Sequence, residues 1–262
     1  TLFRSLRHIV TYPHPEAEPL RTLLAQKHHV KRENLLIGNG AAELLTFFAG
    51  RFTNQKVIIV HPTFSEYKTT LEAQKAKLVE LAVETITAYQ LPIEQIKKQM
   101  KDAACLYLCN PNNPTGSLIP KKTIEELLIF GKALGCEILV DEAFMDWTDE
   151  TQSAIPLIER YPNLTVLRSM TKMYGIAGIR LGYFIGRKEL VEELNDKLPH
   201  WHVNALAIEV GKWCLEDEAF RHESIAKHAE IKARLEHYLL EKQCIITNSA
   251  TNFLCFQLKE PE

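Results

Sequence analysis

Short apolar runs alternate with amphipathic runs between about residues 34 and 190. The apolar runs predict β-strands, which read NLLIG, KVIIV, KLVELAV, ACLYLC, CEILV, LTVLR and RLGYFIG in chain order. Apolar residues recur at helical spacing in the intervening segments AAELLTFFAGRF, FSEYKTTLEAQKA, IEQIKKQM and 121–134. Strands rich in Val, Ile and Leu that alternate with helices are typical of a parallel sheet covered on both faces. We therefore predict an α/β fold with a mainly parallel sheet.

The pattern changes after residue 190. Three long helices are predicted by RKELVEELNDKL, VNALAIEVGKWCLED and AFRHESIAKHAEIKARLEHYLLEKQ, and two short strands by CIITNS and NFLCFQL. These elements indicate the start of a smaller α+β unit. Because the sequence ends at Glu262, just after the second strand, we expect that unit to be incomplete here and further residues to follow.

Composition excludes several classes of function. The chain has 262 residues, of which 46% are hydrophobic and 24% charged, as in an ordinary globular protein of one or two domains. A net charge of −2 gives no basic surface for nucleic acid. No apolar run approaches the length of a membrane span, and TLFRSLRHIVTYPHP has no signal-peptide pattern.

Cysteine and histidine usage points to a reduced compartment without a metal centre. The six cysteines contain no CxxC pair, so we interpret them as reduced core thiols of a cytoplasmic protein. The histidine pairs in KHHV and PHWHV have no accompanying set of cysteines or carboxylates, and we predict no zinc site.

A glycine turn follows the first predicted strand in IGNGAAELL. Gly40 precedes a helix that begins at Ala41 and Ala42, so backbone N–H groups there can face an anion. Glu43 stands where a dinucleotide-binding fingerprint has its third glycine, and no Walker lysine follows. A plain strand–turn–helix connection explains the same residues.

Two further strand ends carry candidate ligand contacts. Phe64 in HPTFSEY can stack on a flat ligand, or it can be a core aromatic that caps the sheet. Asn113 in CNPNNPTG lies in a turn made rigid by proline, where its amide can donate a hydrogen bond. The same turn formers also suit a turn without function.

A carboxylate follows the strand CEILV. Asp141 in DEAF would be costly to bury unless it meets a cation or hydrogen-bond donors. A structural ion pair with an internal arginine is the alternative. We interpret Glu142 and Asp146 as local structural or surface groups.

The segment RSMTKMYGIAGIRLGY combines hydroxyls, an amine and a fixed cation. These are supplied by Ser169, Thr171, Lys172 and Arg180. Taken alone, the segment also fits a polar loop with a surface lysine.

Since ligands bind beyond the carboxyl ends of the strands in an open α/β sheet, these groups are expected to meet. One ligand uses all of them: a flat, cationic ring that carries a phosphate and reacts with an amine. Phosphate would take the amides at Gly40 to Ala42, Ser169, Thr171 and Arg180. The ring would stack on Phe64, contact Asn113 through its oxygen and Asp141 through its protonated nitrogen, and form a Schiff base with Lys172. That ligand is pyridoxal 5'-phosphate.

The sequence resembles the fold-type I pyridoxal-phosphate enzymes of the class I/II aminotransferase group. The resemblance rests on NPNNPTG, DEAF and the lysine segment, which occur in the order of that family. It implies a large cofactor-binding domain over 31–200. It also implies an N-terminal segment, 1–30, in contact with a partner subunit, and the connecting helices and start of a small C-terminal domain over 201–262.

Within this group the chain is similar to two families, the threonine-phosphate decarboxylases of cobalamin synthesis and the histidinol-phosphate aminotransferases. Both open with a segment like TYPHP, which implies that Tyr12 reaches the cofactor phosphate of the neighbouring subunit of a homodimer. His14 departs from their common aspartate, and their arginine for the substrate carboxylate lies beyond this sequence.

The decarboxylase is the favoured interpretation. Phe144 stands where the aminotransferases usually have a tyrosine, and the segments RSMTKMYGIAGIRLGY and WHVNALA are also decarboxylase-like. The expected substrate is a small phosphorylated amino acid. The alternatives are histidinol-phosphate or another aminotransferase, and a cofactor-binding regulator, which would carry a DNA-binding module that this sequence does not contain.

Overall fold

A seven-stranded sheet forms the centre of the computed structural model, which describes residues 6–83, 85–87 and 89–258. The strands of this sheet are β1 (Leu35–Gly38), β2 (Lys56–His61), β3 (Lys77–Ala82), β4 (Cys105–Cys109), β5 (Glu137–Asp141), β6 (Leu164–Ser169) and β7 (Gly182–Ile185). Their spatial order is β1-β7-β6-β5-β4-β2-β3. Neighbours from β6 to β3 pair in parallel, whereas β7 runs antiparallel to both β1 and β6. The predicted α/β fold with a mainly parallel sheet is confirmed.

Helices connect and flank these strands. They are α1 (Leu20–Lys27), α2 (Ala41–Ala49), α3 (Glu66–Ala73), α4 (Ile93–Met100), α5 (Lys121–Leu134), α6 (Lys188–Asn195), α7 (Ala205–Glu216) and α8 (Glu218–Glu241). The bounds of α5 are those expected from its apolar spacing, and α5 ends at Gly135, which takes the left-handed conformation favoured by glycine. Among the described residues, none of the helices has the length and apolar character needed to cross a membrane.

The sheet separates two apolar layers. Successive side chains of a strand point to opposite faces, so Ile138 and Val140 of β5 join one cluster while Leu139 joins the other. The same alternation places Val166 and Leu167 of β6 in different clusters. A central strand buried on both faces explains why its sequence is a continuous apolar run.

The C-terminal strands are shorter than predicted. The pair β8 (Ile245–Ile246) and β9 (Phe256–Gln257) forms a separate two-stranded sheet. The Thr247 N–H still donates to the carbonyl of Cys255 at 2.9 Å, and the chain between the strands also contacts the turn after β4. The Thr247 hydroxyl donates to the carbonyl of Thr115 at 2.7 Å, and the Ala250 N–H donates to that of Gly116 at 2.8 Å. Residues 1–5 and 259–262, at the outer limits of the expected segments 1–30 and 201–262, lie outside the described residues.

A buried ion network ties the ends of β5 and β6 together. The Arg168 guanidinium donates to Glu142 at 3.0 Å, and these side chains are only 1% and 0% exposed. Arg168 also donates to Glu150 at 2.7 Å and lies 3.6 Å from Asp146. The Ser153 hydroxyl donates to Glu142 as well. Glu142 and Asp146, predicted to be local structural or surface groups, are buried partners of this arginine.

Close packing at Gly182 joins the start of β7 to the start of α2. A Cβ at this position would lie 2.5 Å from the backbone nitrogen of Ala41 and 3.0 Å from the carbonyl oxygen of Arg168. Since these neighbours are backbone atoms, they cannot move aside as a flexible side chain would.

Gly182→Ala is expected to lower the free energy of unfolding by about 1–3 kcal/mol, the usual range for overpacking. Gly178→Ala is the matched control, because a Cβ at Gly178 has no neighbour within 4 Å. Urea unfolding of both variants measures the difference. Equal stability of the two variants would contradict the packing described at Gly182.

Glu142→Gln is expected to lower the free energy of unfolding by about 3 kcal/mol, because Arg168 would lose part of its buried compensation. The control is Glu94→Gln. The Glu94 side chain is 91% exposed and lies 4.0 Å from Lys97, so its loss should change the free energy of unfolding by less than about 0.5 kcal/mol. Thermal and urea unfolding report both values, and a neutral Glu142→Gln variant would argue against the network.

Candidate active site

One cavity lies beyond the carboxyl ends of the central strands and collects most of the predicted site residues. It is a concave site with about 110 Å³ of space that water can occupy. Its lining contains the predicted residues Ala41, Ala42, Phe64, Asn113, Asp141, Ser169, Thr171, Lys172 and Arg180, together with Leu45, Cys109, Ala143 and Phe144. Residues separated by more than a hundred positions in the chain therefore share one site.

The start of α2 forms one end of this cavity. Gly40 precedes the helix with a φ of +83°, which favours glycine, and no side chain caps the helix there. A Cβ on Gly40 would lie 2.4 Å from a guanidinium nitrogen of Arg180. Glycine is thus required for the Arg180 cation to lie against the helix N-terminus, where both favour an anion.

Two hydroxyls and the predicted lysine follow β6. The hydroxyls of Ser169 and Thr171 are buried and lie 2.6 Å apart in a hydrogen bond. Lys172 is exposed and lines the cavity. Arg180 returns to the same cavity after a turn, and its guanidinium donates to the carbonyl of Ala177 at 3.0 Å. The segment that carries the lysine therefore folds around the cavity.

Asp141 is a buried carboxylate at the end of β5, with 4% of its surface exposed. The Tyr67 hydroxyl donates to Oδ2 at 2.6 Å and the Ala143 N–H donates to Oδ1 at 3.0 Å. Burial raises the pKa of Asp141, while the two hydrogen bonds and the charge of Lys172 act in the opposite direction. The carboxylate is therefore placed to attract a cation inside the cavity.

Among the residues that the structure describes, Asp141 forms no ion pair with an internal arginine. Arg168 is the buried arginine next to this strand end, and it pairs with Glu142, Asp146 and Glu150. Neighbouring residues of a strand point to opposite faces. Ser169 therefore lines the cavity while Arg168 faces the ion network.

Aromatic rings and the Asn-Pro turn form the walls. The ring of Phe64 packs edge-on against Tyr67 with centroids 5.6 Å apart. The Asn113 N–H donates to the sulfur of Cys109 at 3.4 Å, which anchors the turn at the end of β4. Burial raises the pKa of the Cys109 thiol to about 12, so this cavity-lining group is protonated at neutral pH.

An apolar surface faces the lysine. The Lys172 Nζ lies 5.6 Å from the centre of the Phe144 ring. Phe144 in turn packs edge-on against Phe253, with centroids 4.8 Å apart. Phe253 comes from the C-terminal unit, so this wall combines both parts of the chain.

Tyr12 does not line this cavity. Its side chain is 81% exposed and its ring lies 4.9 Å from that of Trp201, which is also exposed. This placement leaves the phenol available on the surface of the chain. Its expected role in a neighbouring subunit stays a prediction.

Sequence reasoning overlooked Tyr67 and Cys109. A signal for Tyr67 was present in FSEY, because this segment is predicted to be helical and residues three apart in a helix lie on the same side. In the structure Phe64 precedes the helix, but the Tyr67 N–H donates to the Phe64 carbonyl at 3.3 Å and closes a turn that keeps the two residues close. Phe64 and Tyr67 therefore face the sheet end together. Cys109 offered no comparable signal, since a cysteine at the end of an apolar strand is most often a core residue.

Comparisons with known proteins agree with this geometry. Residues 4–262 match the family model Aminotransferase class I and II. A protein of Caldanaerobacter subterraneus subsp. tengcongensis, provisionally named a threonine-phosphate decarboxylase, is 34% identical over 255 residues, or 95% of this chain and 68% of that relative. The histidinol-phosphate aminotransferase of Pyrococcus furiosus is 33% identical over 208 residues, or 78% of this chain and 58% of that relative.

The fold is shared with solved structures. The crystal structure of L-threonine-O-3-phosphate decarboxylase from Porphyromonas gingivalis superposes with a TM-score of 0.87 at 26% identity, and the match covers 99% of this chain and 77% of that chain. The family match spans nearly the whole sequence, and the resemblance drawn from its motifs is confirmed. This chain belongs to the aminotransferase class I and II family and is a pyridoxal-phosphate-dependent enzyme.

Proposed function

We propose that this chain decarboxylates L-threonine O-3-phosphate to (R)-1-amino-2-propanol O-phosphate and CO2, a reaction of cobalamin biosynthesis. The observation that carries the proposal is the apolar wall of Phe144 and Phe253 beside Lys172. A relative that is 34% identical is provisionally named for this activity. A relative named for amino-group transfer is 33% identical, so sequence identity does not separate the two activities. It is the apolar wall that favours decarboxylation.

The cavity residues fit pyridoxal phosphate. The helix N-terminus at Ala41 and Ala42 and the Arg180 guanidinium converge where Gly40 leaves no room for a side chain. With the hydroxyls of Ser169 and Thr171 they would hold the phosphate. This donor set matches a dianion because it combines backbone N–H groups, hydroxyls and a fixed cation.

The remaining cavity residues would hold the ring. Phe64 would stack on it and the Asn113 amide would donate to its oxygen. Asp141 would hold a proton on its nitrogen, because a buried carboxylate is stabilised by an adjacent cation. Removal of such a charge partner is expected to raise the barrier by several kcal/mol.

The amine of Lys172 would hold the cofactor covalently, and the amine of the substrate would displace it. Bound pyridoxal phosphate supplies an electron sink for the bond that breaks at the substrate's α carbon. Once released, Lys172 would return a proton to that carbon after CO2 has left. The exposed position of the lysine in the cavity allows it to move between these tasks.

Phe144 and Phe253 would act on the carboxylate that leaves. An apolar surface does not solvate a carboxylate, whereas it accommodates neutral CO2. The alternative activity is amino-group transfer from histidinol phosphate to 2-oxoglutarate. In that reaction the same lysine would move a proton from the α carbon, and the α carbon of histidinol phosphate carries no carboxylate for the apolar wall to destabilise.

The proposal includes a homodimer with shared sites. Tyr12 and the apolar residues Leu6, Ile9, Val10 and Trp201 are exposed on this chain, as expected if segment 1–30 contacts a partner and Tyr12 reaches the partner's cofactor phosphate. Segment 31–200 would then be the cofactor domain, and 201–262 the connection to the small domain. A cytoplasmic location completes the proposal, since all six cysteines are free thiols.

Release of CO2 from threonine phosphate by the protein loaded with pyridoxal phosphate tests the reaction. Decarboxylation is expected, with no amino-group transfer from histidinol phosphate to 2-oxoglutarate under the same conditions. Turnover of histidinol phosphate without CO2 release would overturn the proposal.

Phe144→Tyr, which adds a hydroxyl to the wall, is expected to lower the rate of CO2 release.

Gly40→Ala is expected to weaken cofactor binding at least tenfold, because its Cβ would displace the Arg180 guanidinium and strain a φ of +83°. Equilibrium dialysis with pyridoxal phosphate measures the dissociation constant. Gly178→Ala, which meets no atom within 4 Å, is the control. An unchanged affinity in Gly40→Ala would place the phosphate elsewhere.

A further inference from the structure

The proposed function gives no role to the hydrogen bond between Tyr67 and Asp141. Both residues are buried, with 1% and 4% of their surfaces exposed. Their hydroxyl and carboxylate oxygens are 2.6 Å apart, which is short enough for a charge-assisted hydrogen bond. A hydroxyl that donates to a carboxylate stabilises the ionised form, since a protonated carboxyl accepts less strongly.

We propose that Tyr67 is a positioning residue that keeps the Asp141 carboxylate ionised and aimed at the ring nitrogen of the cofactor. This inference rests on the proposed placement of the cofactor. The Ala143 N–H holds Oδ1 from one side while the Tyr67 hydroxyl holds Oδ2 from the other. Two donors on different oxygens fix both the direction of the carboxylate and its rotation.

The hydroxyl of Tyr67 is not needed for packing. The Tyr67 ring lies edge-on to Phe64 and to Tyr107, at 5.6 Å from each, and a phenylalanine would make the same contacts. Tyr107 is a comparable buried tyrosine whose hydroxyl has no assigned role. It is 2% exposed, and its oxygen has no hydrogen-bond partner among the described residues.

The turn that leads into helix α3 couples this bond to the expected position of the cofactor ring. Phe64 lies two residues before the helix, Tyr67 is the second residue of the helix, and the Tyr67 N–H donates to the Phe64 carbonyl at 3.3 Å. The expected stacking ring and the partner of Asp141 are therefore in contact, with ring centroids 5.6 Å apart. The other titratable groups that face Asp141 are the Cys109 thiol at the end of β4 and Lys172 after β6. The pKa of Cys109 is about 12, so that thiol remains neutral near pH 7.

Removing the Tyr67 hydroxyl should raise the pKa of Asp141, because burial then acts with one opposing hydrogen bond fewer. The carboxylate would be ionised only at higher pH. The acid limb of the pH profile of kcat is therefore expected to move to higher pH.

The test compares Tyr67→Phe with Tyr107→Phe in the protein loaded with pyridoxal phosphate. For Tyr67→Phe we expect kcat to fall about tenfold, the order of a hydrogen bond to a charged group, with KM little changed and the acid limb at higher pH. The visible absorbance of the bound cofactor, titrated with acid, should change at higher pH as well. Tyr107→Phe should match the wild type in every measurement.

Equal behaviour of the two variants would overturn the proposal. So would a fall in kcat in Tyr67→Phe without movement of the acid limb or of the absorbance titration, since that pattern indicates a packing role. The absorbance titration needs no substrate. If threonine phosphate were not decarboxylated, the proposed reaction would fail while the titration still decided the role of Tyr67.

Discussion

A carboxylate buried at the end of a central parallel strand is the constraint on which the site depends. Burial raises the pKa of Asp141, so its charge is maintained only by what surrounds it. The structure surrounds it with the Tyr67 hydroxyl, the Ala143 amide and the nearby cation of Lys172. In the proposed site a cationic ring nitrogen would complete this environment. The end of β5, helix α3 and the loop after β6 must therefore keep fixed positions relative to one another.

Two buried networks on opposite sides of the sheet maintain that relation. On one side Arg168 joins Glu142 to the acidic residues that follow β5. On the other side Asp141 and Ser169 line the cavity. Since neighbouring residues of a strand point in opposite directions, Asp141 and Ser169 of the cavity are each next to a residue of the ion network. The cavity and the ion network are therefore linked at these two strand ends.

The C-terminal unit contributes to the same site. Thr247 and Ala250 bond to the turn that presents Asn113, and Phe253 packs against Phe144. The C-terminal segment thus helps to shape the cavity, and the wall beside Lys172 depends on its contact with Phe144. The proposed function assigns the choice of the bond that breaks to this wall.

Sequence alone determined the α/β fold, the strands of the large sheet and the grouping of polar motifs at strand ends. Alternating apolar runs reflect local periodicity and burial, and the rule that ligands lie beyond the carboxyl ends then brings Asp141 and Lys172 together. The sequence could not determine the partner of Asp141, since an internal arginine and hydrogen-bond donors can each stabilise a buried carboxylate. Tertiary packing decided that question, because strand pleating directs Arg168 to the opposite face and the start of α3 delivers Tyr67. Contacts between distant segments likewise shaped the chain between β8 and β9, where Thr247 and Ala250 bond to the Asn-Pro turn.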